Sequence, residues 1–112
     1  MNSSVEIDFE QVQNELISKF FHGLSNPVRL QIALSLMNNE KNVGELVDEL
    51  GMKQSQISNQ LACLKTCGFV TSRKEGKFVY YKVTDPRVQE MIHLVQSVVA
   101  DNANLISSCV RV

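Results

Sequence analysis

Three cysteines, Cys63, Cys67 and Cys109, and two histidines, His22 and His93, are the residues of this 112-residue sequence best suited to ligand chemistry. Cys63 and Cys67 are four positions apart. On a helix they stand one above the other on one face, about a turn apart, a spacing that lets two thiolates share one ion. The competing reading is packing, because cysteine fills a core well as a small hydrophobe. A disulfide within the pair is awkward in an unbroken helix, so thiol oxidation would pair Cys109 with one of them. Cys109 near the C-terminus is otherwise an exposed, idle thiol. Each histidine reads more readily as a solvated or capping group than as a ligand. The sequence has no Cys-x-x-Cys motif and no recognisable cysteine–histidine arrangement, so an enzyme is not expected.

The elements that must carry these residues follow from composition and pattern. With 44% hydrophobic and 21% charged residues, the chain suits a single domain over residues 1–112 with a core of its own. An odd cysteine count and the lack of a cationic, then apolar, N-terminal stretch give a reducing cytoplasm as the expected location. No apolar run approaches the roughly 18 residues of a membrane span. The net charge of −1 is a sum over unlike segments. Residues 1–50 sum to −5. Residues 51–82 sum to +5, with Lys53, Lys65, Arg73, Lys74, Lys77 and Lys82 against Glu75 alone. A basic stretch inside an acidic chain is an electrostatic footprint for a polyanion, with a solvated basic face as the plain alternative.

Apolar residues from Val5 to Phe21 recur at three- and four-residue steps and predict a first amphipathic helix ending near Gly23. Asn26-Pro27 opens a second helix reaching about Met37, and Asn42 with Glu45 opens a third that stops at Gly51. A fourth follows over about Gln54 to Cys67 after the short turn Gly51-Met52-Lys53. Two short helices joined in this way form a helix-turn-helix over about 43–67. Ile57, Leu61 and Leu64 supply its inward stripe. Lys53, Gln54, Ser55, Gln56, Ser58, Asn59 and Gln60 are poor core material and good material for base edges and phosphates. Strand-type residues over about 69–83 predict a β-hairpin whose tip carries Arg73, Lys74 and Lys77, with Glu75-Gly76 in the turn. The alternation turns one of Tyr80 and Tyr81 inward. Asp85-Pro86 opens a last, valine-rich helix, and Asn102 to Val112 shows only a weak helical pattern. Arg29 and Lys41 stand between a phosphate contact and a solvated helix face. The fold class is therefore mainly α with a β-hairpin wing, a winged helix-turn-helix in the order α-α-α-α-β-β-α.

Leu24-Ser25-Asn26-Pro27-Val28-Arg29-Leu30, the run from Gln54 to Val70, and Gly76-Lys77-Phe78-Val79-Tyr80-Tyr81 together resemble the ArsR/SmtB family of bacterial metal-responsive repressors. The resemblance implies a homodimer formed by about 5–22 and 86–106. It places one recognition helix per subunit in a major groove of an operator inverted repeat, with each wing near the flanking backbone. A valine-rich last helix suits such a two-fold interface. Lys53 stands where the family often has a small hydroxyl residue, and Gln60 where it usually has a histidine. The family's Cys-x-Cys site at the start of the third helix has no counterpart at Val43 and Glu45. Its histidine-containing zinc site on the last helix has none at Asp85, Arg87, Val98 and Asp101. Cys63-x-x-x-Cys67 with a tail Cys109 instead resembles the cadmium- and lead-sensing CmtR subgroup, in which the other subunit supplies the tail cysteine. Three thiolates favour Cd(II) or Pb(II) as inducer, with As(III) and, given a fourth ligand, Zn(II) as further candidates. The alternative stimulus is thiol oxidation or reactive sulfur.

Overall fold

Capping residues decide where the helices begin. In the computed structural model, which describes residues 8–109, Asp8 accepts from the Gln11 N–H at 3.1 Å ahead of α1 (Phe9–Gly23). Residues 5–7, which the sequence pattern assigns to this helix, lie outside the described residues. Asn26 Oδ1 accepts from the Val28 and Arg29 N–H groups at 2.8 and 3.1 Å, and Pro27 opens α2 (Pro27–Asn38). The expected capping box is present. Asn42 and Glu45 exchange side-chain to backbone hydrogen bonds of 2.9 Å at the start of α3 (Val43–Leu50). Helix α4 (Gln54–Thr66) starts after Lys53 with no side-chain cap, since an ammonium has no acceptor to offer the first N–H groups.

The wing is the expected hairpin, with β2 (Val70–Glu75) and β3 (Phe78–Val83) antiparallel and Glu75 paired to Phe78. Gly76 takes φ +60° at the tip, a region that favours glycine. The sheet has a third strand that the expected order lacks. β1 (Lys41–Asn42) pairs with Tyr81 and Tyr80, giving the order β1-β3-β2. Two residues carry no periodicity, so only the pairing partner defines this strand. Lys41, left undecided by the sequence, is an internal tie here. Its Nζ donates to the Ser35 carbonyl and hydroxyl and pairs with Glu49, and Ser35 Oγ also donates to Glu49. These bonds hold the Glu49 carboxyl below its ordinary range and join α2, β1 and α3.

The core lies between α2, α3, α4 and the sheet. Ile32 and Leu36, Leu46, the stripe Ile57, Leu61 and Leu64, then Phe69, Val70 and Val83 form one buried cluster. Tyr81 packs against it, whereas Tyr80 lies beneath the Arg73 guanidinium with 4.9 Å to its ring centroid. Helix α5 (Pro86–Ser107) continues into the stretch from Asn102 that shows only a weak helical pattern, interrupted by non-helical backbone at Asn102, whose side chain donates to the Val98 carbonyl at 3.0 Å. Helices α1 and α5 leave large apolar side chains in solvent, among them Phe9, Leu16, Ile17, Leu94 and Val98. An apolar groove of about 480 Å³, lined by Phe21, Leu24, Leu34, Ile92, Val95 and Val99 among others, opens between α5 and the end of α1 with α2.

Asp85 caps α5 through the Arg87 N–H at 2.9 Å and pairs with the Arg87 guanidinium. These bonds hold its carboxyl down to about 2, from 3.8 for an ordinary aspartate. A depressed carboxylate contributes stability that is complete above the unfolded value and is lost as pH falls through the folded one. Asp85→Ala is therefore expected to lower the unfolding midpoint at pH 7. The difference should close progressively between about pH 4 and pH 2, read by circular dichroism melts at fixed protein concentration.

Candidate nucleic-acid interface and thiol pair

The turn that presents the candidate recognition helix depends on Gly51, which ends α3 in a left-handed conformation at φ +66° with its N–H on the Val47 carbonyl. Helix α4 then docks through Ile57, Leu61 and Leu64, at most 1% exposed. Geometry forces the remaining faces outward. Lys53, Gln54, Ser55, Gln56, Ser58 and Asn59 are all exposed, a surface of amide and hydroxyl groups in the first two turns. Gln60 differs from them. It is half-buried, and its Oε1 accepts from Arg29 Nη1 at 3.0 Å. Arg29 also donates through Nε to the Gly23 carbonyl at 2.8 Å and through Nη2 to the His22 carbonyl at 3.4 Å. Its guanidinium is thus a clamp between the end of α1 and α4, not a solvated charge. The sequence offered no local sign of this, because the partners are 6, 7 and 31 residues away.

The wing's charge is less available than the +5 sum suggests. Arg73 pairs with Glu40, just before β1, and with Glu75 at 2.8 Å. The hydrogen bonds from Arg73 hold the Glu40 carboxyl below its ordinary range, and the two carboxylates raise the Arg73 guanidinium further. Lys74 and Lys77 at the tip are exposed, and Lys77 lies 5.4 Å from the Phe78 ring centroid. Lys65 turns toward the hairpin and donates to Ser72 at 2.8 Å. Glu40 is the residue that the sequence reading missed, a carboxylate 33 positions away that ties Arg73 in the middle of β2 to the residue before β1.

Cys63 and Cys67 are both exposed, so neither packs as a buried small hydrophobe in this chain. Cys67 ends α4, and its Cβ lies 3.5 Å from where a Cβ on Gly23 would stand. Cys67 therefore borders the junction that Arg29 clamps. Cys109 is exposed beyond the end of α5. Among the described residues no group of three or more His, Cys, Asp or Glu is placed to hold a metal ion, so one chain alone does not gather the three thiolates. His22 and His93 are exposed, and His22 serves through its carbonyl, which accepts from Ser25 Oγ at 2.7 Å.

A helix-turn-helix with a polar, exposed second helix beside a β-hairpin defines a winged helix-turn-helix regulator. Residues 26–72 match the family model described as bacterial regulatory protein, arsR family. A probable mercury resistance operon repressor of Streptomyces lividans is 36% identical over 95 residues, 85% of this chain and 76% of that one. The transcriptional regulator CmtR of Mycobacterium bovis is 31% identical over 91 residues, 80% and 77% of the two chains. A solution structure of a homodimeric winged helix-turn-helix DNA-binding domain from Mycobacterium bovis, a possible ArsR-family regulator, superposes with a TM-score of 0.77. It has 32% identity and covers 87% of this chain and 89% of that one. This chain belongs to the ArsR family. It is a transcriptional regulator and not an enzyme. No helix among the described residues is long and apolar enough to cross a membrane.

Proposed function

We propose that the chain is a homodimeric repressor that covers an operator inverted repeat and is released when Cys63, Cys67 and Cys109 bind a thiophilic metal ion. The observation that carries the proposal is that both thiols of the helix pair are exposed on the helix whose polar face is built for bases. The exposed apolar sides of α1 and α5 supply the two-fold interface, in keeping with the dimeric state of the superposed domain. The donor set fits Cd(II) or Pb(II), and As(III) by its trigonal preference, whereas Zn(II) needs a fourth ligand. The missing third thiolate is supplied by Cys109 of the second copy. When bound, the ion supplies one centre that draws these thiolates together.

The rest is done by the chain's own residues. Unliganded, α4 is held by its apolar stripe and by Arg29, and the two copies present their polar faces at half-site spacing. With Cys63 and Cys67 engaged, α4 is tied to the end of the partner's last helix and no longer keeps that spacing. Operator affinity falls, and reciprocity requires the operator to weaken metal binding by the same factor, typically about 5- to 150-fold.

Fluorescence anisotropy on an operator duplex tests this. Cd(II) is expected to release the reduced wild-type protein and to leave Cys63→Ser and Cys67→Ser bound. Equal release of all three proteins would overturn the metal site. Release by mild peroxide and not by metal would assign the same thiols to oxidation. The wing makes a separate prediction. Lys74→Ala and Lys77→Ala are each expected to reduce the slope of log K against log salt by about 0.9, weakening all sequences alike. An unchanged slope would take the wing tip off the phosphates.

A further inference from the structure

Arg29 does more to Gln60 than hold it in place. A guanidinium has five N–H donors and no acceptor, so the atom of the Gln60 amide that faces Arg29 has to be the oxygen. The 3.0 Å bond from Nη1 therefore fixes which way the amide points. The guanidinium is itself fixed, since its Nε and Nη2 donate to the Gly23 and His22 carbonyls at 2.8 and 3.4 Å. Among the described residues nothing accepts from the Gln60 amide nitrogen, and that atom is not buried. Gln60 thus keeps its amide N–H groups free, while its oxygen has one of two lone pairs engaged and its direction set by Arg29. Gln56, one turn earlier on the same face, is exposed and has no such partner among the described residues, so it keeps both halves of its amide available.

The major groove distinguishes these two states. An unrestrained glutamine recognises adenine by accepting from N6 and donating to N7 together. Guanine presents two acceptors, N7 and O6, and cytosine a single donor. We propose that Arg29 is a specificity-determining residue. By holding the Gln60 oxygen on its guanidinium it engages one of that atom's two lone pairs and fixes its direction, which disfavours the joint accept-and-donate contact to adenine and favours donation to guanine. The inference rests on the reading of α4 as the helix that enters the major groove. Because the clamp is anchored on backbone carbonyls at the end of α1, the amide is oriented before DNA arrives, and less side-chain freedom is lost on binding.

Selection of duplexes from a randomised library by the full-length, reduced protein, followed by sequencing, tests the inference. Two variants accompany the wild type. Gln60→Glu keeps an oxygen on Arg29, which preserves the fold, but has no donor. Its second oxygen can accept from cytosine N4. Arg29→Met removes the donors and keeps the stem, which frees the Gln60 amide. At one position per half-site the wild type is expected to favour guanine by roughly 5- to 10-fold. Gln60→Glu should move that position to cytosine, and Arg29→Met should move it to adenine, with every other position unchanged. Thermal melts establish that each variant is folded, and if Arg29→Met is not, the change from guanine to cytosine decides alone. The same base at every position for wild type and Gln60→Glu would overturn the inference. So would a wild-type preference for adenine at the position that Gln60→Glu alters. Failure of the wild type to enrich any sequence would instead overturn the operator reading, and the inference with it.

Discussion

Replacing Leu61 by alanine is expected to destabilise the folded chain by about 2–5 kcal/mol, the cost of removing a fully buried leucine and leaving the space unfilled. Leu61 is 1% exposed and sits between Ile57 and Leu64 in the stripe that joins α4 to α2, α3 and the sheet. The recognition helix depends on that stripe to an unusual degree. It has no side-chain cap at Lys53, and its first two turns include Ser55, Ser58 and Asn59, which have little helix preference of their own. The effect should therefore reach beyond stability, with α4 loosening and operator affinity falling even where most molecules remain folded. Urea unfolding at one fixed protein concentration measures the first part, since the proposed dimer would make the midpoint concentration-dependent. Ser58→Ala on the exposed face of the same helix serves as the control and is expected to stay within about 0.5 kcal/mol of the parent. Equal midpoints for Leu61→Ala and Ser58→Ala would mean that α4 is not held by its apolar stripe.

The helices and the hairpin were readable because their signals are local. Asn26-Pro27, the Asn42 and Glu45 pair, Gly51 and Asp85-Pro86 each act within four residues of themselves, and all are found in the expected roles. The three-residue turn and the Ile57, Leu61, Leu64 stripe then left only one way to orient α4, so the exposed polar face followed from the sequence. What escaped it is non-local. β1 is two residues whose status as a strand depends on Tyr80 and Tyr81, some forty positions on. The charge sum over residues 51–82 was right as arithmetic and incomplete as electrostatics, because Glu40 lies outside that window and neutralises Arg73 within it. Arg29 could not be placed for the same reason, since its acceptors come from two other helices. The exposure of Cys63 and Cys67 was a matter of helical angle, whereas the proposed approach of Cys109 to them depends on a second chain.

That dependence gives the other large effect, a complementation across the dimer. If Cys63 and Cys67 of one copy meet Cys109 of the other, then Cys109→Ser protein and Cys63→Ser/Cys67→Ser protein each lack any complete three-thiolate site. A heterodimer of the two regains one, because the intact pair of the first chain faces the intact tail of the second. The absence of a three-ligand group among the described residues of one chain, together with the exposure of all three cysteines, is the reason to expect this arrangement. Random exchange of equal amounts makes half of the dimers mixed, each with one complete site out of two. The sulfur-to-cadmium charge-transfer absorption of the three-thiolate site should then rise from near zero in either parent to about one quarter of the wild-type value. Cadmium-induced release from the operator should return in the mixed fraction and in neither parent. A site closed within one chain predicts the opposite, no recovery at any mixing ratio, because no chain in the mixture carries all three cysteines. Full absorption in the Cys109→Ser parent alone would remove the tail from the site and leave the two helix thiols to bind the ion without it.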